Sequence, residues 1–215
     1  AHNNLGIIYL ETKDFDNATT HFNLAINYKQ DFAEAHNNLG SVFQEQGQIE
    51  KALKSYEKAT TLNSNYAQAH NNLGILLQMI GKNDKASLSY EKALNSNDNY
   101  ASAHLNLSLI KKFSENDSQI IQMQNLVSSD DIPKSERSIL CFALAKAYDD
   151  LNKENKFFEY LNEGNQLRKD ELGFSYEKSE MNYNPFVKSL FQDPLSMGET
   201  ISNDPSDKQP IFILG

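Results

Sequence analysis

Apolar and small residues recur at matching places along the first part of the chain, with a spacing of 34 residues. The rows are Leu5, Leu39 and Leu73; Tyr9, Phe43 and Leu77; Ala18, Ala52 and Ala86; Phe22, Tyr56 and Tyr90; and Ala25, Ala59 and Ala93. The first two rows lie four residues apart, and the last three lie four and three apart, so each group marks one face of a helix. The pattern predicts two helices per copy, over 1–12 and 15–28, 33–46 and 49–62, and 67–80 and 83–96.

A polar phrase accompanies these rows. Ala-His-Asn-Asn-Leu-Gly occurs at 1–6, 35–40 and 69–74, and a less similar copy, Ala-His-Leu-Asn-Leu-Ser, occurs at 103–108. A period of 34 residues is enough for two short helices and their turns. One such unit cannot bury its apolar face alone, so the units must stack on one another.

Two further units follow with a weaker pattern. The fourth unit starts at Ala103, and we predict its second helix at 117–128, with apolar contacts from Ile120, Ile121, Met123 and Leu126. In the fifth unit Leu144-Ala145 and Tyr148 repeat the spacing of the first helix. Phe157, Leu161 and Gly164 then take the places of Ala, aromatic and Ala. Bulky and small residues are therefore exchanged between the two helices of this unit.

The positions that agree between copies resemble those of a known family. Leu39, Gly40, Phe43, Gly47, Ala52, Tyr56 and Ala59 match the tetratricopeptide repeat, with His36 where that family often places Trp. Gln30, Ser64 and Asp98 stand where the family usually places Pro. The resemblance implies an all-α, right-handed superhelix (an α-solenoid) of about five helix pairs over 1–170. It also implies a scaffold that binds a protein or peptide on its concave surface. From the residues themselves we expect an irregular helical extension at 171–192, with a helix break near Gly173 and a short helix after Asn184-Pro185.

A second resemblance concerns the end of the chain. Gly164–Lys169, Leu190-Phe191, a linker that begins at 193 and Pro210–Gly215 are similar to the junction in bacterial tetratricopeptide-repeat sulfotransferases. We expect 193–215 to hold a linker and the first strand of a further domain. The resemblance implies a parent sulfotransferase that uses phosphoadenosine phosphosulfate. This chain itself is expected to be no enzyme and to bind no cofactor, because a strand without its loop and helix has no anion site.

Composition and charge narrow the partners. No apolar run reaches the roughly 18 residues of a membrane span. The net charge is −9, with −1 over 1–113 and −8 over 114–215, which argues against nucleic acid as a partner. A single cysteine, Cys141, fits a reducing, cytoplasmic location. Because Ala1 falls inside a repeat, we expect a piece of a longer protein.

Two files of asparagines are the candidate site. Stacking aligns Asn4, Asn38, Asn72 and Asn106 in one file, and Asn3, Asn37 and Asn71 in a shorter file beside it. Each carboxamide offers donors and an acceptor that match one peptide unit. The file resembles the asparagine ladder of O-GlcNAc transferases, which implies a groove for an extended polypeptide. The alternative is that these amides bond neighbouring helices or are merely solvated.

The remaining candidates favour structural roles. His2, His36, His70 and His104 form a row, but equivalent positions of stacked units lie too far apart to share a metal ion. Cys141 is interpreted as a buried thiol, and Asp130-Asp131 and Asp149-Asp150 as loop or exposed charges. We find no catalytic residue set. Three hypotheses stay open: a peptide-binding module, part of a sulfotransferase, and a self-association module that forms a homo-oligomer through its terminal repeats.

Overall fold

A computed structural model describes residues 1–173, which form ten α-helices and no β-strand. The helices are α1 His2–Glu11, α2 Phe15–Tyr28, α3 Ala33–Glu45, α4 Ile49–Leu62, α5 Ala67–Met79, α6 Asn83–Ser96, α7 Ala101–Ile110, α8 Ser118–Val127, α9 Lys134–Asp150 and α10 Glu154–Glu171. The sequence pattern placed the ends of α1 to α6 within one residue. The helix expected after Asn184-Pro185, the linker and the terminal strand lie outside the described residues.

The first three units are helix pairs held together by an aromatic ring that lies on a glycine. In α1, α3 and α5 the glycines of the repeated phrase face Phe22, Tyr56 and Tyr90 of the following helix. A Cβ atom added to any of these glycines would come within 2.5–2.7 Å of the ring. Only glycine therefore allows the two helices to approach this closely, and all three rings are fully buried.

The turn inside each of these units requires a left-handed residue. Gly47 and Gly81 end α3 and α5 with φ of 70° and 74°. Lys13 occupies the same place after α1 with φ of 59°. A residue with a Cβ atom is disfavoured in this conformation, whereas glycine adopts it freely.

Successive units stack as an all-α solenoid. The second helix of each unit packs against the first helix of the next, which joins α2 to α3, α4 to α5 and α6 to α7. Leu39 and Val42 of α3 and Leu76 of α5 are buried in these contacts. The predicted fold class is confirmed. No helix within residues 1–173 is both long enough and apolar enough to cross a membrane.

The fourth unit differs from the predicted regular pair. α7 packs chiefly against α9, and α8 also packs against α9. Between α7 and α8 the contact is slight, although Gln119 Nε2 of α8 donates to the backbone carbonyl of His104 at 3.2 Å. Ser108 stands where the first three units have the glycine that admits an aromatic ring, and Gln124 stands where they have the ring itself. Ile121, predicted as an apolar contact, is exposed, because α8 buries Ile120, Met123 and Val127 instead.

The fifth unit, α9 with α10, is a close pair, and it shares the largest hydrophobic cluster in the described part of the chain with residues of α7 and α8. Its small residue lies on the second helix, as the sequence indicated. A Cβ atom at Gly164 would lie 3.0 Å from the ring of Phe142 and 3.2 Å from Cβ of Cys141. α10 ends at Glu171, and Gly173 has a φ of 59°. The helix therefore breaks close to Gly173, where the pattern predicted it.

Candidate functional site

The first helices of the repeats lie on the inner side of the stack. α1 contacts α3, α3 contacts α5, and α5 contacts α7, whereas α2, α4 and α6 make no comparable contact with one another within residues 1–173. Elements on the shorter side of a curved stack lie closer together. The side chains that α1, α3, α5 and α7 direct away from their partner helices therefore face the inside of the curve.

The asparagines of these helices form a hydrogen-bonded ladder. We call Asn4, Asn38, Asn72 and Asn106 the outer file, because they lie at the surface of the groove. Asn3, Asn37 and Asn71 are the inner file, because they lie beneath that surface. From the second repeat on, each outer Nδ2 donates to the Oδ1 of the inner asparagine one repeat earlier. The three bonds are Asn38 to Asn3 (3.1 Å), Asn72 to Asn37 (3.0 Å) and Asn106 to Asn71 (3.0 Å).

The inner file requires a correction of the predicted site. Asn3, Asn37 and Asn71 are only 4%, 1% and 3% exposed, so a polypeptide in the groove cannot reach them. They lie at the seam between neighbouring first helices. Asn3 Nδ2 also donates to Glu34 Oε1 at 2.8 Å. These amides bond neighbouring helices, as the alternative interpretation held, and they position the outer file.

The outer file keeps part of each amide open. Asn72 and Asn106 are half-buried, and each uses one Nδ2–H in the ladder while its Oδ1 has no hydrogen-bond partner within residues 1–173. Asn38 likewise uses one Nδ2–H, and its Oδ1 accepts from Asn37 at 3.3 Å. Asn4 is exposed. The ladder thus fixes a row of carboxamides that still present donors and acceptors towards the inside of the curve.

Other side chains on the same face escaped the sequence analysis. Glu11, Glu45 and Met79 follow the outer asparagines Asn4, Asn38 and Asn72 by seven residues, and Leu109 follows Asn106 by three. Residues three and seven apart share a helix face. Gln44 Nε2 lies 3.8 Å from the Met79 sulfur, which places Met79 across the gap between α3 and α5. The spacing alone places these side chains on the face of the outer asparagines. Their chemistry differs between copies, so no repeated pattern predicted a role for them.

The histidine row serves the turns between repeats. The Nε2 atoms of His36, His70 and His104 lie 3.3, 2.9 and 2.8 Å from the carbonyl oxygens of Gln30, Ser64 and Asp98. A carbonyl oxygen only accepts, so Nε2 carries the proton in each ring. Burial is the main cause that lowers the pKa of all three imidazoles. Each histidine therefore holds the preceding turn at the position where the related family usually has Pro.

His2 has a different environment from the rest of its row. Its Nδ1 lies 3.0 Å from Nδ1 of His21, and its ring stacks on those of His21 and Tyr28. No group of three or more metal-ligating side chains is found among residues 1–173.

Cys141 and Asp150 are structural groups. Burial is the main cause that raises the pKa of the Cys141 thiol to about 12, which suppresses the nucleophilic thiolate. Asp150 accepts from the Lys146 ammonium at 2.6 Å and from the Phe113 backbone N–H at 3.2 Å. Burial opposes the shift, but these hydrogen bonds lower its pKa. Asp150 is thus no simple exposed charge, because it ties the loop after α7 to α9.

Comparisons with known proteins agree with this geometry. A family model described as "TPR repeat" matches residues 6–47 and 42–81, and one described as "Tetratricopeptide repeat" matches residues 67–100. No curated protein matches the sequence.

Solved structures share the fold at low identity. MamA is 20% identical, with a TM-score of 0.59 over 79% of this chain and 98% of its own. YrrB, a TPR protein with an unusual peptide-binding site, is 17% identical, with a TM-score of 0.56 over 80% of this chain and 87% of its own. A mutant O-GlcNAc transferase from Thermobaculum terrenum is 22% identical, with a TM-score of 0.50 over 59% of this chain and 25% of its own.

Proposed function

Since residues 6–100 of this chain match tetratricopeptide-repeat family models, we propose that its outer file of asparagines captures an extended polypeptide segment for an attached domain. The observation that carries the proposal is the ladder, which fixes each outer amide from the second repeat on and leaves part of it open. An amide held in this way loses little side-chain entropy when a ligand binds. YrrB, a similar structure, is a TPR protein with a peptide-binding site, which supports the proposal.

The spacing of the ladder suits an extended segment. Packed helices lie about 8–10 Å apart, and an extended chain rises about 3.3 Å per residue. Successive outer asparagines therefore meet about every third peptide unit. Each net hydrogen bond contributes about 0.5–1.5 kcal/mol, so four positions give moderate affinity. Because carboxamides contact the peptide backbone, this part of the surface accepts many sequences.

The test is replacement of outer asparagines. We expect Asn4→Ala, and more strongly Asn38→Ala/Asn72→Ala, to weaken binding of a pool of fluorescein-labelled random peptides of about 12 residues, which extend to about 40 Å. Fluorescence anisotropy measures the affinity. Asn4 donates to no residue within 1–173, so its truncation should leave the thermal midpoint unchanged and report on binding alone.

The matched control is Asn23→Ala, which removes an exposed asparagine from α2 on the outer side of the stack. Equal affinity of wild type, Asn4→Ala and the double variant would reject the asparagine groove.

A second proposal concerns the parent protein. The resemblance at Gly164–Lys169 and beyond supports a sulfotransferase whose domain follows this chain and binds phosphoadenosine phosphosulfate, with the repeats presenting its acceptor. Of this stretch, only Gly164–Lys169 lies among the described residues, in the second half of α10. Residues like Pro-Arg-Ser-Gly directly after Gly215 in the reading frame would support this proposal, and their absence would reject it. The unpaired Cys141 supports a reducing, cytoplasmic setting, and the resemblance to bacterial sulfotransferases supports a bacterial source.

A third proposal is self-association through α1. Leu5 and Ile8 are 42% and 54% exposed, whereas the equivalent Leu39 and Val42 of α3 are 7% and 0% exposed because α2 covers them. A helix of a second copy would cover the same apolar face on α1. Light scattering over a range of concentrations tests this, and a strict monomer would exclude it.

A further inference from the structure

The inner face changes character along the stack. The two first helices at its beginning, α1 and α3, carry Glu11 and Glu45 on the same face as the outer asparagines. The next two, α5 and α7, carry Met79 and Leu109 there. Met79 occupies the same repeat position as the two glutamates. The same groove therefore has an acidic half and an apolar half.

The acidic half has unused charge. Glu11 and Glu45 are exposed, and neither carboxylate pairs with a cation within residues 1–173. One acidic group beside the asparagines is already engaged, because Glu34 accepts a hydrogen bond from the Asn3 amide. A cationic side chain that crosses α1 or α3 would find an unpaired partner close to the outer asparagines.

The apolar half has unused apolar surface. Met79 and Leu109 are 60% and 55% exposed, and neither joins a hydrophobic cluster in the described part of the chain. Ile75, the α5 residue one repeat before Leu109, is by contrast half-buried and packs on the core. Single exposed apolar side chains are common on protein surfaces. These two, however, share a face with the open amides of Asn72 and Asn106, which would hold a peptide directly above them.

We infer that the groove selects extended segments with basic side chains where they cross α1 and α3 and apolar side chains where they cross α5 and α7. This inference rests on the proposed function, because the asparagines hold the backbone while these side chains select the sequence. One repeat corresponds to about three peptide residues. The basic and apolar positions of the ligand are therefore about three to nine residues apart.

The experiment uses the full chain and labelled peptides of about 12 residues. One probe carries two lysines near its start and two leucines near its end in a serine–glycine background, and a second has the reverse order. A third contains serine and glycine only, and a fourth replaces the lysines by glutamates in the favoured order. Anisotropy at low salt gives each affinity, since salt screens exposed charges.

We expect one order of the lysine–leucine probe to bind about tenfold more tightly than the serine–glycine probe. Two exposed ion pairs should account for about three- to tenfold of this difference in affinity. Glu11→Gln/Glu45→Gln should therefore remove that factor, and only for the probe that contains lysines. Met79→Ser/Leu109→Ser should remove the contribution of the leucines. Glu11→Lys/Glu45→Lys should shift the preference to the glutamate probe. Glu57→Gln, an exposed glutamate on α4, is the matched control and should change nothing.

The outcomes separate the two levels of the proposal. If all probes bind equally and Asn4→Ala weakens them equally, the inferred selectivity is overturned while the asparagine groove stands. If no probe binds, the groove falls, and the selectivity with it.

Discussion

At the scale of single residues, the ladder shows how one duplicated pair of asparagines acquires two roles. Asn37 and Asn38 are neighbours in sequence, yet a rotation of about 100° per residue turns them to different surroundings. Asn37 is buried at the seam between α3 and α5, where its Oδ1 accepts from Asn72. Asn38 faces the inside of the curve. A buried amide must find partners, so the inner file fixes the outer one.

Lys13 offers a residue-scale prediction. It holds a φ of 59° at the turn where the next two repeats have glycine. The left-handed conformation costs a residue with a Cβ atom about 1–2 kcal/mol. Lys13→Gly should therefore raise the free energy of unfolding by about 1 kcal/mol, less than the full cost because glycine also gains freedom in the unfolded chain. Urea unfolding followed by circular dichroism measures the change.

The matched variant is Gly47→Ala, at φ of 70°, where an added Cβ atom meets nothing within 4 Å. Only the backbone conformation is then altered, so it should destabilise by about 1–2 kcal/mol. The two substitutions must change the free energy of unfolding in opposite directions, and changes in the same direction would refute this account of the turn.

At the scale of helices, the contact between glycine and an aromatic ring separates regular pairs from the irregular one. Gly6, Gly40 and Gly74 admit a ring of the second helix, and α1/α2, α3/α4 and α5/α6 pack as pairs. Ser108 lacks such a ring, and α7 packs on α9 instead. In α9 and α10 the small residue is Gly164, on the other helix of the pair. Pairing therefore requires one small residue per pair, on either helix.

Gly74→Ala tests the contact directly. The new Cβ atom would lie 2.5 Å from Cε1 of Tyr90, whose ring is fully buried and donates from its hydroxyl to Gln78 Oε1 at 2.8 Å. We expect a loss of about 1–3 kcal/mol of unfolding free energy from overpacking, although alanine favours a helix over glycine by about 1 kcal/mol.

The double variant Gly74→Ala/Tyr90→Leu is the control for this contact. Residues in contact couple, so its destabilisation should be smaller than the sum of the two single changes. Additive losses in thermal or urea unfolding would show that Tyr90 does not mediate the cost.

At the scale of the whole described chain, the period of 34 residues was sufficient to predict the solenoid and the bounds of six helices. It carried no information on how α7, α8 and α9 pack, because that packing depends on Ser108 and Gln124, which break the pattern. The outer file was predicted from the same period. The inner file was assigned to the groove because helical rotation alone does not locate the seam between stacked helices. Met79 and Leu109 were missed because they vary between copies.

The histidines at three turns make the stability of the stack depend on pH. Burial lowers the pKa of His36, His70 and His104 below the ordinary 6.5, and each neutral ring donates Nε2–H to a turn carbonyl. Nδ1 of His70 finds no hydrogen-bond partner in the part of the chain that the structure describes, so protonation there would bury an unpaired N–H. The unfolded chain therefore binds more protons than the folded chain near pH 6.

The contribution of these rings is complete above about pH 6.5 and is lost as the pH falls through their lowered pKa values. We expect the free energy of unfolding to decrease from pH 7.5 to pH 5.5. Tryptophan also carries a ring N–H donor but does not titrate in this range, and the related family often has it at this position. His36→Trp/His70→Trp should accordingly weaken the pH dependence while preserving the turns. Chemical unfolding of wild type and of the double variant at pH 5.5, 6.5 and 7.5 measures the free energy of unfolding. If it falls as steeply with decreasing pH in the double variant as in wild type, the pH dependence belongs to other groups.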